Sequence, residues 1–364
     1  TGTWNYHTYL PEHVKFAELY TAGKKLDQIC PEDLKAEWDA SSNRMKAMLK
    51  SFYHVGLTIE DFCFYELVPH RFLKQHAEIK NKITQHVLDN FPEPDNYASI
   101  IKTERLIKNI STQKLKLNGT NVRLQIATQK GRDLYRKLQA KPSIIYNQFG
   151  TRTGRLTTLP NSFPILTLSK KMRAVIEPYR TAFLEFDVVS AEVATLFYLT
   201  GRPIPSGDLH EWINKNAFDG KLTRDESKVA FFSWLYDPRK TNDALEKLFS
   251  RQEILEKYYF NGRINNPLGR KIEVGEEKAL NYLVQSTFND IFLINIAKLS
   301  DKLKEWGLKS NIAFFIHDSV VLDFDVREKD RIDDIVSVLS HFDDYKFDLH
   351  MNLGKNYGDM REIK

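Results

Sequence analysis

The chain has 364 residues, a length that suggests two or three packed subdomains rather than one small core. Its hydrophobic fraction of 42% excludes wholesale disorder, and no apolar run approaches the roughly 20 residues that a membrane helix requires. The net charge of +5, from 53 basic and 48 acidic residues, favours a nucleic-acid partner only weakly.

The first half of the chain is predicted to be helical. Residues 31–45 form an amphipathic pattern, and residues 64–91 predict one long helix that ends before Pro92. Its apolar positions lie near helical spacing: Leu67, Phe72, Ile79, Ile83 and Val87. Residues 98–140 predict basic helices interrupted by a turn at Asn118-Gly119. This basic stretch could contact phosphates, and a solvated surface would explain it equally well.

The two cysteines, Cys30 and Cys63, exclude a disulfide framework and a four-cysteine zinc site. Both are predicted to be thiols in a reducing compartment. The first residues also lack the charged-then-apolar order of a signal peptide. We therefore expect an intracellular protein.

The second half of the chain predicts a small sheet covered by helices. A strand at 181–187 ends in Asp187, and a helix follows at 191–199. Two apolar runs, 311–316 and 320–324, predict a β-hairpin with His317, Asp318 and Ser319 at its tip. A helix at 327–342 and a last strand at 347–353 are predicted after it. A helical insertion, residues 205–260, separates the two aspartate-bearing strands.

The two strand-end aspartates are candidate metal ligands. Phosphoryl transfer to a hydroxyl uses two cations about 3.5–4 Å apart, which clamp the attacking and leaving oxygens. Mg2+ prefers carboxylates that leave room for water and for substrate phosphates. Asp187 and Asp318 would meet that requirement if their strands are neighbours. Taken singly, each aspartate is more simply a turn residue or a helix cap.

The insertion contains a helix with one striped face. Its start is predicted by a capping box formed by Thr223 and Glu226, and Pro238 marks its end. Four residues recur at every fourth position: Arg224, Lys228, Phe232 and Tyr236. A triphosphate could lie on the cationic half while a base stacks on the aromatic half. The alternative is a surface helix with two solvated cations and a buried aromatic pair.

A series of motifs, from about residue 60 to the C-terminus, resembles the family A DNA polymerases, the bacterial DNA polymerase I-like family, in a phage-type form. The first three motifs in chain order are Thr153-Gly-Arg155-Leu-Thr-Thr before the palm, the first palm motif Asp187-Val-Val-Ser-Ala-Glu192, and Asp208-Leu-His210 at the start of the fingers. The striped fingers helix follows, and after it come Asn281-x3-Gln285 on the template side, the second palm motif His317-Asp318, and Gly354-Lys-Asn-Tyr357 near the C-terminus.

The resemblance implies roles for the residues at these positions. Asp187 and Asp318 would bind two Mg2+ ions, for which Mn2+ can substitute, with the backbone carbonyl of Val188 as a further ligand. The triphosphate would be held by three side chains: Arg224, Lys228 and His210. Lys228 would also act as a catalytic acid that protonates the leaving pyrophosphate. Phe232 would stack on the incoming base, and Tyr236 would lie near the template base. Glu192 would lie under the incoming sugar and leave no space for a 2′-hydroxyl.

Contacts with primer–template DNA are implied for five residues: Arg155, Asn161, Asn281, Gln285 and His317. Arg155 would reach the minor groove at the primer end, and the pair of amides on residues 281 and 285 would read the minor groove on the template side. Loop capping and ordinary hydrogen bonding remain the alternative for the first four.

Four positions depart from the family pattern. The Tyr and Ser usual after the first aspartate are Val188 and Val189, and the Arg usual four residues before Asn281 is Glu277. The Glu usual after the second aspartate is Ser319, an arrangement that also resembles single-subunit phage RNA polymerases. The metal-binding pair is unaffected by these changes.

The resemblance implies an α+β right-hand polymerase fold, with a helical thumb, a palm with a small antiparallel sheet, and helical fingers. The predicted divisions are an exonuclease-like tail or remnant at 1–55, the thumb at 56–140, the palm at 141–204 and 261–364, and the fingers at 205–260. In the first segment Asp33 matches the last metal ligand of 3′→5′ exonuclease domains, but the Asp-x-Glu pair that opens such domains is absent. We therefore expect this segment not to proofread by itself.

The main hypothesis is a DNA polymerase that adds deoxynucleoside triphosphates to a primer on a DNA template, in replication or repair. Its expected setting is a bacterial or phage-infected cytoplasm, with an organelle as the alternative, and an exonuclease or processivity partner on another chain remains open. A second hypothesis is an RNA polymerase or primase, favoured by Ser319 and opposed by Glu192. A third is a non-catalytic DNA-binding subunit, opposed by the intact pair of aspartates.

Overall fold

The computed structural model describes residues 14–57, 62–118, 129, 131–132, 143–160 and 162–363. The chain divides into two compact units, Thr1–Ile101 and Lys102–Lys364. The basic stretch after residue 118 lies almost wholly outside the described residues, and Asn161 lies entirely outside them. The five functional divisions expected from the sequence stay predictions.

The first unit is helical. Its helices are Ala17–Tyr20 (α1), Leu26–Ile29 (α2), Glu32–His54 (α3), Phe64–Leu67 (α4), His70–Asn90 (α5) and the beginning of Tyr97–Thr112 (α6). A small apolar core includes Trp38, Ile83 and Val87. The indole Nε1 of Trp38 donates a hydrogen bond of 2.6 Å to Asp27, so even its polar atom is satisfied.

The prediction of one helix over residues 64–91 is wrong in its first turn. The structure has α4 and α5 instead, and Pro69 is the N-cap of α5. Proline has no N–H to donate into a helix, and its ring disfavours a helical conformation at the preceding residue, Val68. The apolar face was predicted correctly over α5, because Phe72, Ile83 and Val87 are all buried.

The second unit mixes helices and strands. Its further helices are Lys170–Arg173 (α7), Ala191–Leu199 (α8), Leu209–Ala217 (α9), Arg224–Tyr236 (α10), Asp243–Phe249 (α11), Arg251–Tyr258 (α12), Glu276–Glu305 (α13) and Ile332–Ser340 (α14), with short 3-10 helices at Ile165–Thr167 and Val326–Arg331. Four consecutive helices, α9 to α12, fill the insertion, as the sequence predicts. In the described part of the chain, no helix is long and apolar enough to cross a membrane.

The described strands form one larger sheet and four small ones. They are Lys116–Leu117 (β1), Tyr146–Asn147 (β2), Thr157–Thr158 (β3), Ile176–Glu177 (β4), Ala182–Val188 (β5), Tyr259–Phe260 (β6), Arg263–Asn265 (β7), Lys271–Glu273 (β8), Asn311–Ile316 (β9), Ser319–Phe324 (β10), His341–Phe342 (β11), Tyr345–Lys346 (β12), Leu349–Gly354 (β13) and Met360–Ile363 (β14). The larger sheet has the order β14-β13-β5-β10-β9, and every neighbouring pair in it is antiparallel.

The predicted hairpin is confirmed as β9 and β10. All six residues of β10 are buried, and five of the seven in β5 are buried as well. Long apolar runs are therefore used here as strands covered on both faces rather than as half-exposed strands. The apolar residues of β5 and β10 thus belong to the core of the unit, and this packing holds both strands in place.

The prediction at the C-terminus is wrong in two details. The region predicted as one helix, 327–342, consists of a 3-10 turn, the shorter helix α14, and strand β11. Asp343 adopts a left-handed φ of +50°, which an aspartate tolerates, and this turn joins β11 to β12. The strand predicted as the last, β13, is followed by β14, a short edge strand whose charged residues hide its pattern.

The long helix α13 is anchored to the β7–β8 hairpin by a buried ion pair. The guanidinium of Arg270 donates to both carboxylate oxygens of Asp290, at 2.6 to 3.1 Å. Asn266 donates a further hydrogen bond of 2.8 Å to the same carboxylate. Asn289, the neighbour of Asp290, donates to the carbonyl of Gly154 at 2.8 Å. The hairpin, the helix and the loop before Arg155 thus share one polar anchor.

Removal of Arg270 is expected to destabilise the protein strongly. Only 7% of the Asp290 side chain is exposed, so Arg270→Ala would leave a buried carboxylate without its cation. We expect the free energy of unfolding to fall by about 3–5 kcal/mol. The measurement is urea denaturation of the wild type and the variant.

Arg263→Ala provides the control within the same hairpin. Arg263 pairs with Glu273 at 2.9 Å, but their side chains are 48% and 81% exposed. We expect this variant to lose less than about 1 kcal/mol. Equal losses in the two variants would contradict the importance of the buried pair.

Candidate active site

The two predicted metal ligands lie side by side at one end of the larger sheet. Asp187 is the penultimate residue of β5, and its Cα partner on β10 is Ser319, the residue after Asp318. The backbone N–H of Val188 donates to the carbonyl oxygen of Asp318 at 3.2 Å. The two-residue tip of the hairpin, with His317 at φ +53°, therefore delivers Asp318 to the end of β5. Residues 131 positions apart in the sequence become neighbours.

The electrostatic environment of Asp187 is unfavourable to its own charge. The pKa of Asp187 is raised to about 6, first by burial and then by the negative charges of Asp318 and Glu185, against the lowering effect of His350. A divalent cation is the natural partner for carboxylates arranged in this way, and carboxylates are hard donors suited to Mg2+. Across residues 143–160 and 162–363, as elsewhere in the described chain, no three His, Cys, Asp or Glu side chains form a complete metal cage. Asp187 and Asp318 are therefore a pair of neighbouring carboxylates rather than a larger cluster.

Arg155 contacts Asp318 directly. Its Nη2 lies 3.3 Å from Oδ1 of Asp318, and both side chains are partly exposed. Gly154 precedes it with φ +79°, and a Cβ there would meet the guanidinium of Arg270 at 2.5 Å. Glycine is therefore required for the loop to approach Arg270 of the β7–β8 hairpin, and this path brings Arg155 to Asp318. The family resemblance predicts Arg155 at the primer end, but it does not predict this ion pair.

The striped helix forms as predicted. Helix α10 begins at the capping box, in which Thr223 accepts from the backbone of Glu226 and the Glu226 carboxylate accepts from the backbone of Thr223. Arg224 donates to Asp208 at 2.5 Å, and Lys228 is exposed. The buried residues of α10 are Ser227, Phe231, Trp234 and Leu235, all of them off the stripe.

The aromatic half of the stripe is not core. Phe232 is half-buried and stacks on Tyr236, with ring centroids 5.8 Å apart and an interplanar angle of 24°. Tyr236 is 41% exposed. The alternative of two solvated cations beside a buried aromatic pair is therefore wrong for the aromatic residues, which keep accessible surface. A planar ligand could stack on this surface.

His210 lies beneath the stripe and is held neutral. It is 2% exposed, and its ring centroid lies 5.9 Å from that of Phe232. The pKa of His210 is lowered to about 4, first by burial and then by the positive charges of Lys228 and Arg224, against the opposing effect of Asp208. Its buried Nδ1 has no hydrogen-bond partner among the described residues. A neutral imidazole with a free nitrogen can serve a ligand as donor or acceptor.

Tyr236 connects the striped helix to two other helices. Its hydroxyl donates to Oε1 of Glu192 on α8 at 3.5 Å, and it accepts from Nε2 of Gln285 on α13 at 3.3 Å. Burial raises the pKa of Glu192, and Asp318 raises it as well. Asn281, four residues before Gln285 on α13, has a buried Oδ1 without a partner in the described residues. Asn281 and Gln285, four residues apart, lie on one face of α13.

The structure thus brings most of the predicted site residues into one unit. Asp318 contacts Arg155 and accepts a hydrogen bond from Val188, the residue after Asp187. A second group is joined at Tyr236, which contacts Glu192, Gln285 and Phe232. His210 lies against Phe232, and Arg224 pairs with Asp208. His317 is exposed at the hairpin tip, and Asn161 lies outside the described residues. Sequence reasoning missed Glu185, although the two-residue period of a strand puts it on the same face as Asp187.

Comparisons with known proteins found partial similarities. No family model matches the chain. Over 106 residues, 25% of this chain, it is 32% identical to the DNA polymerase of Bacillus phage SP01, and it spans only 11% of that protein. It also aligns with the POL domain of Pol1 from M. smegmatis in complex with DNA primer-template and dNTP, at 14% identity and a TM-score of 0.49, over 89% of this chain and 66% of that chain.

The neutral state of His210 predicts a pH dependence of stability. Its pKa is about 4 in the folded protein, against an ordinary value of 6.5. The unfolded chain therefore takes up a proton first as the pH falls, and the stabilising contribution present above pH 6.5 is lost between 6.5 and 4. This loss is on the order of 2–3 kcal/mol. We expect His210→Gln to flatten the urea-denaturation stability profile over this window.

The matched control is His317→Asn, which changes an exposed histidine in the same unit. Asparagine tolerates the left-handed conformation of residue 317, so this variant should keep the wild-type slope. A slope that remains unchanged in His210→Gln would refute the assignment to His210.

Proposed function

We propose that this chain is a DNA-directed DNA polymerase that extends a primer 3′ end with deoxynucleoside triphosphates in DNA replication or repair. The observation that carries the proposal is the proximity of the two carboxylates to the end of the striped helix. Asp318 contacts Arg155, and its charge affects Glu192, which accepts from Tyr236 at the end of α10. This proximity supports one site in which the carboxylates would bind metal and the cationic, aromatic helix would bind the nucleotide.

Asp187 and Asp318 would hold two divalent ions, Mg2+ with Mn2+ as a substitute, and the carbonyl of Val188 would be a further ligand. The ions would stabilise the attacking and leaving oxygens of the transfer. The two carboxylates contribute negative charge that burial has already made costly to leave uncompensated. Arg155 would turn from Asp318 towards the DNA when the ions neutralise that carboxylate.

Arg224, Lys228 and His210 would bind the triphosphate. Arg224 offers a planar fork of donors to phosphate oxygens, and Asp208 orients it at the start of α10. Lys228, one turn further along, would donate a proton to the leaving pyrophosphate. His210 would donate a hydrogen bond as a neutral group, because its low pKa keeps it uncharged at neutral pH.

Phe232 and Tyr236 would contact the bases. The half-buried ring of Phe232 would stack on the incoming base, and Tyr236 would lie beside the template base. Arg155, Asn161, Asn281, Gln285 and His317 would contact the DNA. The larger sheet would belong to a palm and helices α9 to α12 to fingers, within the right-hand layout.

The test of the proposal is primer extension by the pure chain with deoxynucleotides or ribonucleotides, each with and without Mg2+. Metal-dependent extension with deoxynucleotides supports a DNA polymerase. Equal use of both nucleotide sets would favour an RNA polymerase instead, and primer–template binding without extension would favour a non-catalytic subunit.

Replacement of either aspartate should abolish extension. Asp187→Ala and Asp318→Ala remove metal ligands that act on the transition state, whereas contacts with the duplex come from other residues. We expect extension rates to fall by at least about 1000-fold, with primer–template affinity changed less than about threefold. Single-turnover extension and fluorescence anisotropy of a labelled duplex measure the two effects. Extension within about tenfold of the wild type would contradict the metal-binding assignment.

Glu192→Ala should relax sugar selection. A carboxylate packed beneath the sugar would clash with a 2′-hydroxyl, and its removal opens that space. We expect the ratio of ribonucleotide to deoxynucleotide incorporation to rise about tenfold or more. Tyr236→Phe removes the hydroxyl that contacts Glu192 but leaves the carboxylate, so its ratio should rise less. Equal ratios in Glu192→Ala and the wild type would exclude this role.

A further inference from the structure

A third carboxylate, Glu185, lies beside the two proposed metal ligands. It is two residues before Asp187 on β5, and therefore on the same face of the sheet. Glu185 pairs with Val321 on β10 and with Asn352 on β13. It is thus enclosed by both neighbouring strands in the central part of the sheet.

Neutral groups hold Glu185 in place. The hydroxyl of Ser319 donates to Oε1 at 3.3 Å, and the amide of Asn352 donates to Oε2 at 3.2 Å. The single hydroxyl proton of Ser319 is shared with the carbonyl of Ile316 at 3.1 Å, and Ser319 is 6% exposed. Hydroxyl and amide donors fix the orientation of the carboxylate without cancelling its charge.

Glu185 acts electrostatically on its neighbours. After burial, its charge is the largest cause that raises the pKa of the buried phenol Tyr357. Because Glu185 lies two residues from Asp187 on the same face of β5, its charge would also act on a cation bound to Asp187.

Ser319, the residue on β10 that donates a hydrogen bond to Glu185, occupies an informative position. Ser319 directly follows Asp318, where the resembled polymerase pattern has a glutamate. Ser319 pairs with Asp187 across the ladder, so it is a diagonal neighbour of Glu185. The carboxylate missing from β10 has a counterpart one strand away, and the two positions are joined by a hydrogen bond.

We propose that Glu185 is a positioning residue for the metal-binding pair: from β5 it supplies the negative charge that Ser319 does not carry, and through Ser319 it holds the hairpin tip that bears Asp318. Glu185 does not ligate the ions itself, and it acts through Asp187 and Asp318. This role rests on the proposed function, since it concerns the same metal site.

The test measures Mn2+ binding to the full chain, by the electron paramagnetic resonance signal of free Mn2+, without DNA or nucleotide. Glu185→Gln keeps the size of the side chain and removes its charge, so Mn2+ affinity should fall about tenfold. Glu185→Asp keeps the charge and should bind within about threefold of the wild type. The exchange variant, Glu185→Ser with Ser319→Glu, should recover most of the affinity that Glu185→Ser alone loses.

Glu362→Gln is the matched control, because Glu362 pairs with Asn352 in the same row of the sheet on the outer side of β13. It removes one negative charge from that row, and its Mn2+ affinity should stay within about twofold of the wild type. Thermal melting of every variant verifies folding. If Glu185→Gln does not fold, loss of affinity in Glu185→Ser and recovery in the exchange variant carry the test.

The outcomes separate this role from the proposed function. Wild-type affinity in Glu185→Gln, or an equal loss in Glu362→Gln, overturns the role of Glu185 even if the wild type extends primers. Failure of the exchange variant to recover affinity overturns the relocation of charge between the two strands. If the wild type neither binds Mn2+ nor extends a primer, the proposed function fails first.

Discussion

The antiparallel pairing of β5 with β10 is the constraint on which the site depends. It places Asp187 opposite Ser319 and thereby next to Asp318, although two carboxylates in a partly buried place repel each other. The repulsion is tolerated because both strands are fixed by apolar packing on both faces, which a small electrostatic cost cannot reverse. Stability is provided by the core of the sheet, and the strand ends are left free for chemistry.

The second constraint is the polar anchor on α13. Asp290 in the middle of that helix binds Arg270, and the adjacent Asn289 binds the loop at Gly154. A side chain at Gly154 would overlap the guanidinium of Arg270, so the loop passes directly against the buried ion pair. Arg155, the next residue, contacts Asp318. The buried ion pair outside the site thus supports the loop that carries a cation within it.

The sequence predicted the parts of the molecule that depend on local patterns. The hairpin at 317–318 and the helix between Thr223 and Pro238 follow from apolar runs, capping and turn residues, whereas the roles of the site residues come from a resemblance and stay predictions. The break at Pro69, strand β14 and the position of Arg155 do not follow from local patterns, for different reasons. Pro69 lies within a strong helical period, β14 is an edge strand with a weak pattern, and the Arg155–Asp318 contact depends on tertiary packing that no local signal records.

The two ends of the proposed site present different groups, and this difference limits the ligands that would suit it. At the sheet end lie the carboxylates of Glu185, Asp187 and Asp318, and Arg155 pairs with Asp318. At the start of α10 lie two cations, Arg224, which pairs with Asp208, and Lys228, which is exposed. In the proposed site, an anion alone would meet the cations of the helix and be repelled by the carboxylates, and a cation alone would do the reverse. A triphosphate that carries divalent ions would suit both ends, because its phosphates would meet the cations while its metals would meet the carboxylates.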